Sequence, residues 1–176
     1  VVCVYNGAET IKPCLDSILE IDYPRDRIEF LVIDNASTDH TLDVVSQYPV
    51  KIVSEPEKGR GHARNRAWKS CSTDFIAFTD ADCVVSPDWI TSLIPALKDD
   101  SVGVVGGDIV TPGNAMLARF FESRHIVSNK EFSGDYPFSP PFLATANTIF
   151  RVDAIKTAGG FSTEFIVAED ADICWR

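Results

Sequence analysis

FIAFTDADCVVSPDWI, residues 75–90, opens on four apolar residues, runs into a D-x-D pair at Asp80 and Asp82, and closes on a helix start. Phe75 to Phe78 is the most hydrophobic strand candidate in the chain, of the kind covered on both faces of a sheet. Ser86, Pro87 and Asp88 read as N-cap, first-turn proline and dipole-favoured acid of a helix with Ile90, Leu93, Ile94 and Leu97 on one face. A strand that hands over to a helix through an acidic turn is the building unit of an α/β domain.

The unit recurs toward the N-terminus. Val1 to Tyr5 reads as a strand, followed by Ile11, Leu15, Ile18 and Leu19 at helical spacing, with Pro13 tolerated in the first turn. Ile28 to Ile33 is a second strand that ends in Asp34. Ser37, Thr38 and Asp39 offer N-cap chemistry to a helix through Leu42 and Val45, and Val50 to Val53 is a short third strand. EKGRGHARNRA, residues 57–67, then opens a helix whose Ala63, Ala67 and Cys71 share a small-residue face. Toward the C-terminus, Val102 to Val110 reads as a strand weakened by three glycines, Met116 to Val127 as a helix, Ser128 to Pro141 as a long loop and Phe142 to Phe150 as a strand. Gly159, Gly160 and Phe161 form a turn before the helix begun by AEDADICWR. This rhythm predicts a mostly parallel central sheet flanked by helices.

A chain of 176 residues predicts a single domain over 1–176. At 45% hydrophobic and 24% charged residues, disorder and a coiled coil are excluded. A formal charge of -10 repels phosphate backbones, so no nucleic acid is expected as partner. No apolar run is long enough for a membrane span. The chain starts within a strand and stops within a helix, and the expectation is a domain truncated at both ends. Five cysteines without a C-x-x-C pair point to reduced thiols and a cytoplasmic setting.

With 17 Asp in 176 positions, chance alone gives about 1.6 D-x-D pairs, and two occur, so the motif by itself decides nothing. Position does more. Ligands of open α/β sheets bind outside the carboxyl ends of the strands, where Asp34 and Asp80 are both predicted. Carboxylates there suit Mg2+ or Mn2+, which complete their shells with water and phosphate oxygens, and a cation would reconcile an acidic protein with an anionic diphosphate. Lys58, Arg60 and Arg64 lie beside a helix start and are the natural phosphate counterpart, although their spacing is neither G-x-G-x-x-G nor a P-loop. In the last acidic group, Glu169, Asp170 and Asp172, Asp170 is the candidate general base for an incoming hydroxyl. His40, His62 and His125 share no spacing and no G-x-S-x-G is present, which argues against a hydrolase triad.

Taken in order, VCVYN, LVIDNASTD, GHARNRA, FTDADCVVSPDWI, TANTIFR, GGF and AEDADICWR resemble the successive motifs of the family 2 glycosyltransferases. The resemblance covers nearly the whole chain. It implies a GT-A, nucleotide-diphospho-sugar transferase fold with a Rossmann-like sheet. The implied activity is inverting transfer of a sugar from a nucleotide-diphosphate donor to a hydroxyl of a glycan, lipid-linked or other acceptor, with Mg2+ or Mn2+ as cofactor. On this likeness Tyr5 lies against the base, Asp34 hydrogen-bonds the nucleoside, and Asn35, Arg64 and Asn147 belong to the nucleotide-sugar site. Asp80 contacts ribose or metal, Asp82 holds the metal that bridges the phosphates, and Asp170 deprotonates the acceptor. The family commonly has two acids after its second strand, whereas Asn35 follows Asp34 here, which opens the question of base recognition. Uridine is the favoured base, with guanosine and deoxythymidine kept open. The implied location is the cytoplasm or the cytoplasmic face of a membrane. Two alternatives stand beside this reading: a non-catalytic nucleotide-sugar-binding module, and a sugar nucleotidyltransferase, whose usual Gly-rich basic N-terminal loop this chain lacks.

Overall fold

Six strands form one sheet in the computed structural model, which describes residues 1–110 and 142–176. They are β1 (Val2–Val4), β2 (Leu31–Asp34), β3 (Lys51–Ser54), β4 (Phe75–Asp80), β5 (Val104–Gly106) and β6 (Asn147–Arg151), in the order β3-β2-β1-β4-β6-β5. The first four are parallel; β6 runs antiparallel to β4, and β5 antiparallel to β6. The register sets Val4 opposite Asp34, Cys3 opposite Asp80 and Thr79 opposite Asn147. The carboxyl ends of β1, β2 and β4 therefore lie side by side and deliver two aspartates to one edge of the domain.

Helices α1 (Ile11–Leu19), α2 (Thr41–Val45), α3 (Arg60–Lys69), α4 (Trp89–Leu93), α5 (Val152–Thr157) and α6 (Glu169–Trp175) cover the sheet. Strand alternation divides the core in two. Val2, Val4, Val32 and Ile149 pack with Ile11, Leu15, Ile18 and Trp89 on one face. Leu31, Ile33, Ile76, Phe78 and Phe150 pack with Ala63, Ala67, Phe161, Ile155 and Ile173 on the other. Phe78, Phe150 and Phe161 meet edge to face with centroids 5.6 to 6.0 Å apart, the favourable geometry for aromatic rings.

Several boundaries differ from the sequence expectation. The second strand starts at Leu31, because residues 25–27 form a 3₁₀ turn and Ile28 only leads out of it. The helix expected from Ser86 is five residues of α-helix followed by a 3₁₀ segment at Ile94–Lys98. Pro95 has no amide hydrogen to continue the α ladder, and its ring clashes with the preceding turn. Asp88 occupies the N-cap position without a side-chain cap bond. The strands expected at 102–110 and 142–150 shrink to β5 and β6. Apart from β5, whose sense matches β4 across the intervening β6, the sheet is parallel on one side and antiparallel on the other. The helix expected at 116–127 and the loop expected at 128–141 lie outside the described residues. Among the described residues no helix is long and apolar enough to cross a membrane.

Candidate functional site

A cleft of about 430 Å³ opens over the carboxyl ends of β1, β2 and β4; Tyr5, Asn35, Lys58, Arg60, Arg64, Asp80 and Asp82 are among its lining residues. A second cavity, about 330 Å³, sits toward the amino ends of the strands beside Ile18, Ile21, Phe30 and Trp89, away from the aspartates. The charged cleft is therefore the chemically equipped one.

Asp80 is its electrostatic centre. Arg64, on α3, brings Nη2 to 3.5 Å from Asp80 Oδ1 while its Nη1 is bound to Glu169. Burial pushes the Asp80 carboxyl above the usual carboxylate range; Arg64 and Arg60 oppose this, and the charges of Asp82 and Asp170 add to it. Asp82 and Asp170 are thus both within electrostatic reach of Asp80, although 90 residues of sequence separate Asp80 from Asp170. Asp82 is exposed on the turn after β4. Asp170, at the start of α6, accepts the Ala171 N–H at 2.9 Å through Oδ1.

Among the described residues no group of three His, Cys, Asp or Glu can hold a metal ion by itself. The cleft instead offers a pair of hard carboxylates, Asp80 and Asp82, among its lining residues. That suits Mg2+ or Mn2+, which binds through one or two carboxylates and takes its other oxygens from water and phosphate.

The remaining expected residues divide. Tyr5 is half-exposed, and Lys58 donates to its hydroxyl at 2.9 Å. Asn35 is buried, and its amide is committed: Nδ2 donates to Glu55 O at 3.1 Å and Glu57 O at 2.6 Å, and Oδ1 accepts the Gly59 N–H at 2.8 Å. The residue whose identity left base recognition open thus fastens the loop that carries Lys58. Asp34 is 3% exposed and does not line the cleft, and its buried Oδ1 has no partner among the described residues. Asn147 also stays out of the cleft lining. Its Oδ1 accepts Trp89 Nε1–H at 2.7 Å and its Nδ2 donates to Asp108 O at 2.7 Å, tying β6 to α4.

Sequence reasoning missed the residues of α3 that face the C-terminal segment. Asn65 donates to Phe161 O at 2.8 Å and accepts the Phe161 N–H at 2.9 Å, clamping that backbone from both sides. A Cβ on Gly61 would lie 2.1 Å from Ser162 O, so only glycine permits this approach. Gly61, Arg64 and Asn65 lie three and four residues apart on one helical face, and that spacing was the available signal. Glu169 had none, because its partner is 105 residues away.

A Rossmann-like sheet with acids gathered at its carboxyl ends is here the GT-A fold of the nucleotide-diphospho-sugar transferases. Residues 1–159 match the family model for Glycosyl transferase family 2, and the chain belongs to that family. It is 26% identical over 183 residues to glycosyltransferase AglE of Haloferax volcanii, covering 99% of this chain and 58% of that protein. The mannosyltransferase PcManGT of Pyrobaculum calidifontis, solved in complex with GDP-Man and Mn2+, superposes with a TM-score of 0.71 at 29% identity over 97% of this chain and 48% of that one. TarS 1-349 of S. aureus, solved with UDP-GlcNAc, shares the fold with a TM-score of 0.68 at 23% identity, covering 97% of this chain and 50% of that one. The chain spans roughly half the length of these proteins.

Proposed function

We propose that this domain binds a nucleotide-diphosphate sugar and transfers the sugar, with inversion, to an acceptor hydroxyl in the making of a polysaccharide or glycoconjugate. The observation that carries the reading is that Asp80 and Asp82 line one cleft with Lys58, Arg60 and Arg64, and that Arg64 pairs both with Asp80 and with Glu169, the residue before Asp170. Asp170 is the general base: it takes the acceptor proton as the hydroxyl oxygen attacks the anomeric carbon opposite the leaving group. The anomeric carbon–oxygen bond breaks, and its electron pair leaves with the nucleoside diphosphate. Asp82, with Asp80, is the ligand set for Mg2+ or Mn2+. When bound, that ion supplies positive charge to the diphosphate oxygens. Lys58 and Arg60 add fixed charge to the same wall, and Tyr5 presents an exposed ring for the base.

Uridine is the proposed base; guanosine is the competing reading, favoured by the likeness to a GDP-Man complex. A panel of nucleoside diphosphates, with and without Mn2+, separates them by thermal shift, because ligands selective for the native state raise its stability. Five free thiols agree with a reducing, cytoplasmic site of action. The transfer reading is tested in the intact protein with Asp82→Ala and Asp170→Asn. Asp170→Asn should lower kcat by about 10²–10⁴-fold while nucleotide affinity holds. Asp82→Ala should abolish the Mn2+ dependence of nucleotide binding. Wild-type turnover in Asp170→Asn rejects the base, and metal-linked binding without turnover in the parent points to a binding module.

A further inference from the structure

The Arg64–Glu169 pair is buried on both sides, with side chains 7% and 2% exposed. Buried ion pairs add little net stability over apolar contacts, so the placement of this one carries more information than its energy. Arg64 projects from α3, and its planar guanidinium spans two elements that meet nowhere else through a salt bridge described here: the end of β4 at Asp80 and the first residue of α6 at Glu169. The residue after Glu169 is Asp170.

The start of α6 has little local support. Ala168 precedes it with φ of 73°, a left-handed conformation disfavoured for a residue with a Cβ, and no side chain caps the helix. The helix is instead held from outside. At its far end Arg176 donates to Gly160 O at 2.7 Å and pairs with Asp172 at 2.6 Å. At its near end the tie is Arg64. The second carboxylate oxygen of Glu169, Oε2, is buried without a partner, so Arg64 alone holds this side chain among the described residues. Glu169 does not line the cleft.

We propose that Glu169 is a positioning residue, which through Arg64 fixes Asp170 relative to Asp80 and hence the base relative to the diphosphate end of the site. This rests on the reading of Asp170 as general base. A group that only positions another affects turnover and leaves donor binding alone.

Glu169→Gln in the intact protein keeps the shape and one acceptor for Arg64 and removes the charge. The expected result is a fall in kcat of about 10–100-fold, the scale of a misplaced reacting group. Donor KM and the affinity for UDP or GDP with Mn2+ stay within about twofold, because the substitution keeps an acceptor for Arg64 and Glu169 itself does not line the cleft. In an Asp170→Asn background the substitution should add no further loss. Unchanged kcat, or a kcat loss matched by weaker nucleotide binding, overturns the proposal. If Glu169→Gln does not fold, Glu169→Asp keeps the charge and shortens the reach; it should lower kcat while nucleotide affinity holds, and wild-type kcat there overturns the proposal as well. Turnover in Asp170→Asn rejects the base itself, whereas an inactive Asp170→Asn beside a fully active Glu169→Gln rejects only the role of Glu169.

Discussion

Asp34 and Asp80 occupy equivalent places in the sequence pattern, each at the end of an apolar strand, and they flank β1 on either side. Their surroundings differ sharply. Asp34 is 3% exposed with an unpartnered oxygen, whereas the Asp80 side chain is 47% exposed and faces Arg64. Strand parity accounts for this. Asp34 follows Val32 by two residues and so shares the face packed beneath α1, while Asp80 follows Phe78 by two and shares the face of α3 and Phe161. The same local pattern yields a sequestered acceptor on one strand and a charge hub on the other.

The largest expected effect breaks the Asp80 side. Arg64→Ala leaves Glu169 as a buried charge without its partner and should lower unfolding free energy by about 3–5 kcal/mol in urea titrations. A change near zero would show that water reaches Glu169. Next, on the Asp34 side, Asn35→Asp sets a carboxylate against the carbonyls of Glu55 and Glu57 that now receive amide hydrogens. Leaving those carbonyls unpaired should cost about 1–3 kcal/mol, and affinity for UDP and GDP should fall by the same factor. A selective change in base preference would instead make Asn35 a reader of the base. Asp34→Ala should work in the opposite direction, raising stability by about 1 kcal/mol through removal of an unsatisfied buried oxygen. Destabilisation there would mean that the oxygen has a donor in the native protein.

Much of this contrast could not be read from the chain. The four parallel strands and their helices followed from short apolar runs alternating with helical spacing, because those signals are local. The antiparallel β6 was not legible: a run such as TIF encodes burial and not direction, and the segment linking β5 to β6 spans residues outside the described part. The break in α4 was legible in Pro95, a single residue outweighed by the apolar face around it. At the site, the strand-end acids followed from position. Arg64 was read as a free cation beside phosphate, and no pattern on α3 announces a carboxylate 105 residues away. The Asn35 departure was visible, but its use depends on three backbone groups of the 55–59 loop that only folding brings to it.

The smallest expected effect separates the two sides through pH. Asp39, in the loop that follows Asp34, accepts the Thr41 hydroxyl, the Thr41 N–H at 3.0 Å and the Ala8 N–H at 3.2 Å, tying the β1 and β2 loops together. The Thr41 hydroxyl chiefly holds its carboxyl below the ordinary range. A carboxyl depressed by folding contributes stability that is complete above its unfolded value, about 3.9, and is lost as pH falls through the lower folded value. Asp39→Asn should therefore lower Tm slightly at neutral pH, and the gap to the parent should close in strong acid. Because Asp39 is solvent-exposed, added salt should also shrink the gap at neutral pH. The Arg64→Ala deficit, set in the buried pair, should resist salt. A gap in Asp39→Asn that persisted unchanged in acid would show that its hydrogen-bond geometry, and not its charge, holds the loops on the Asp34 side.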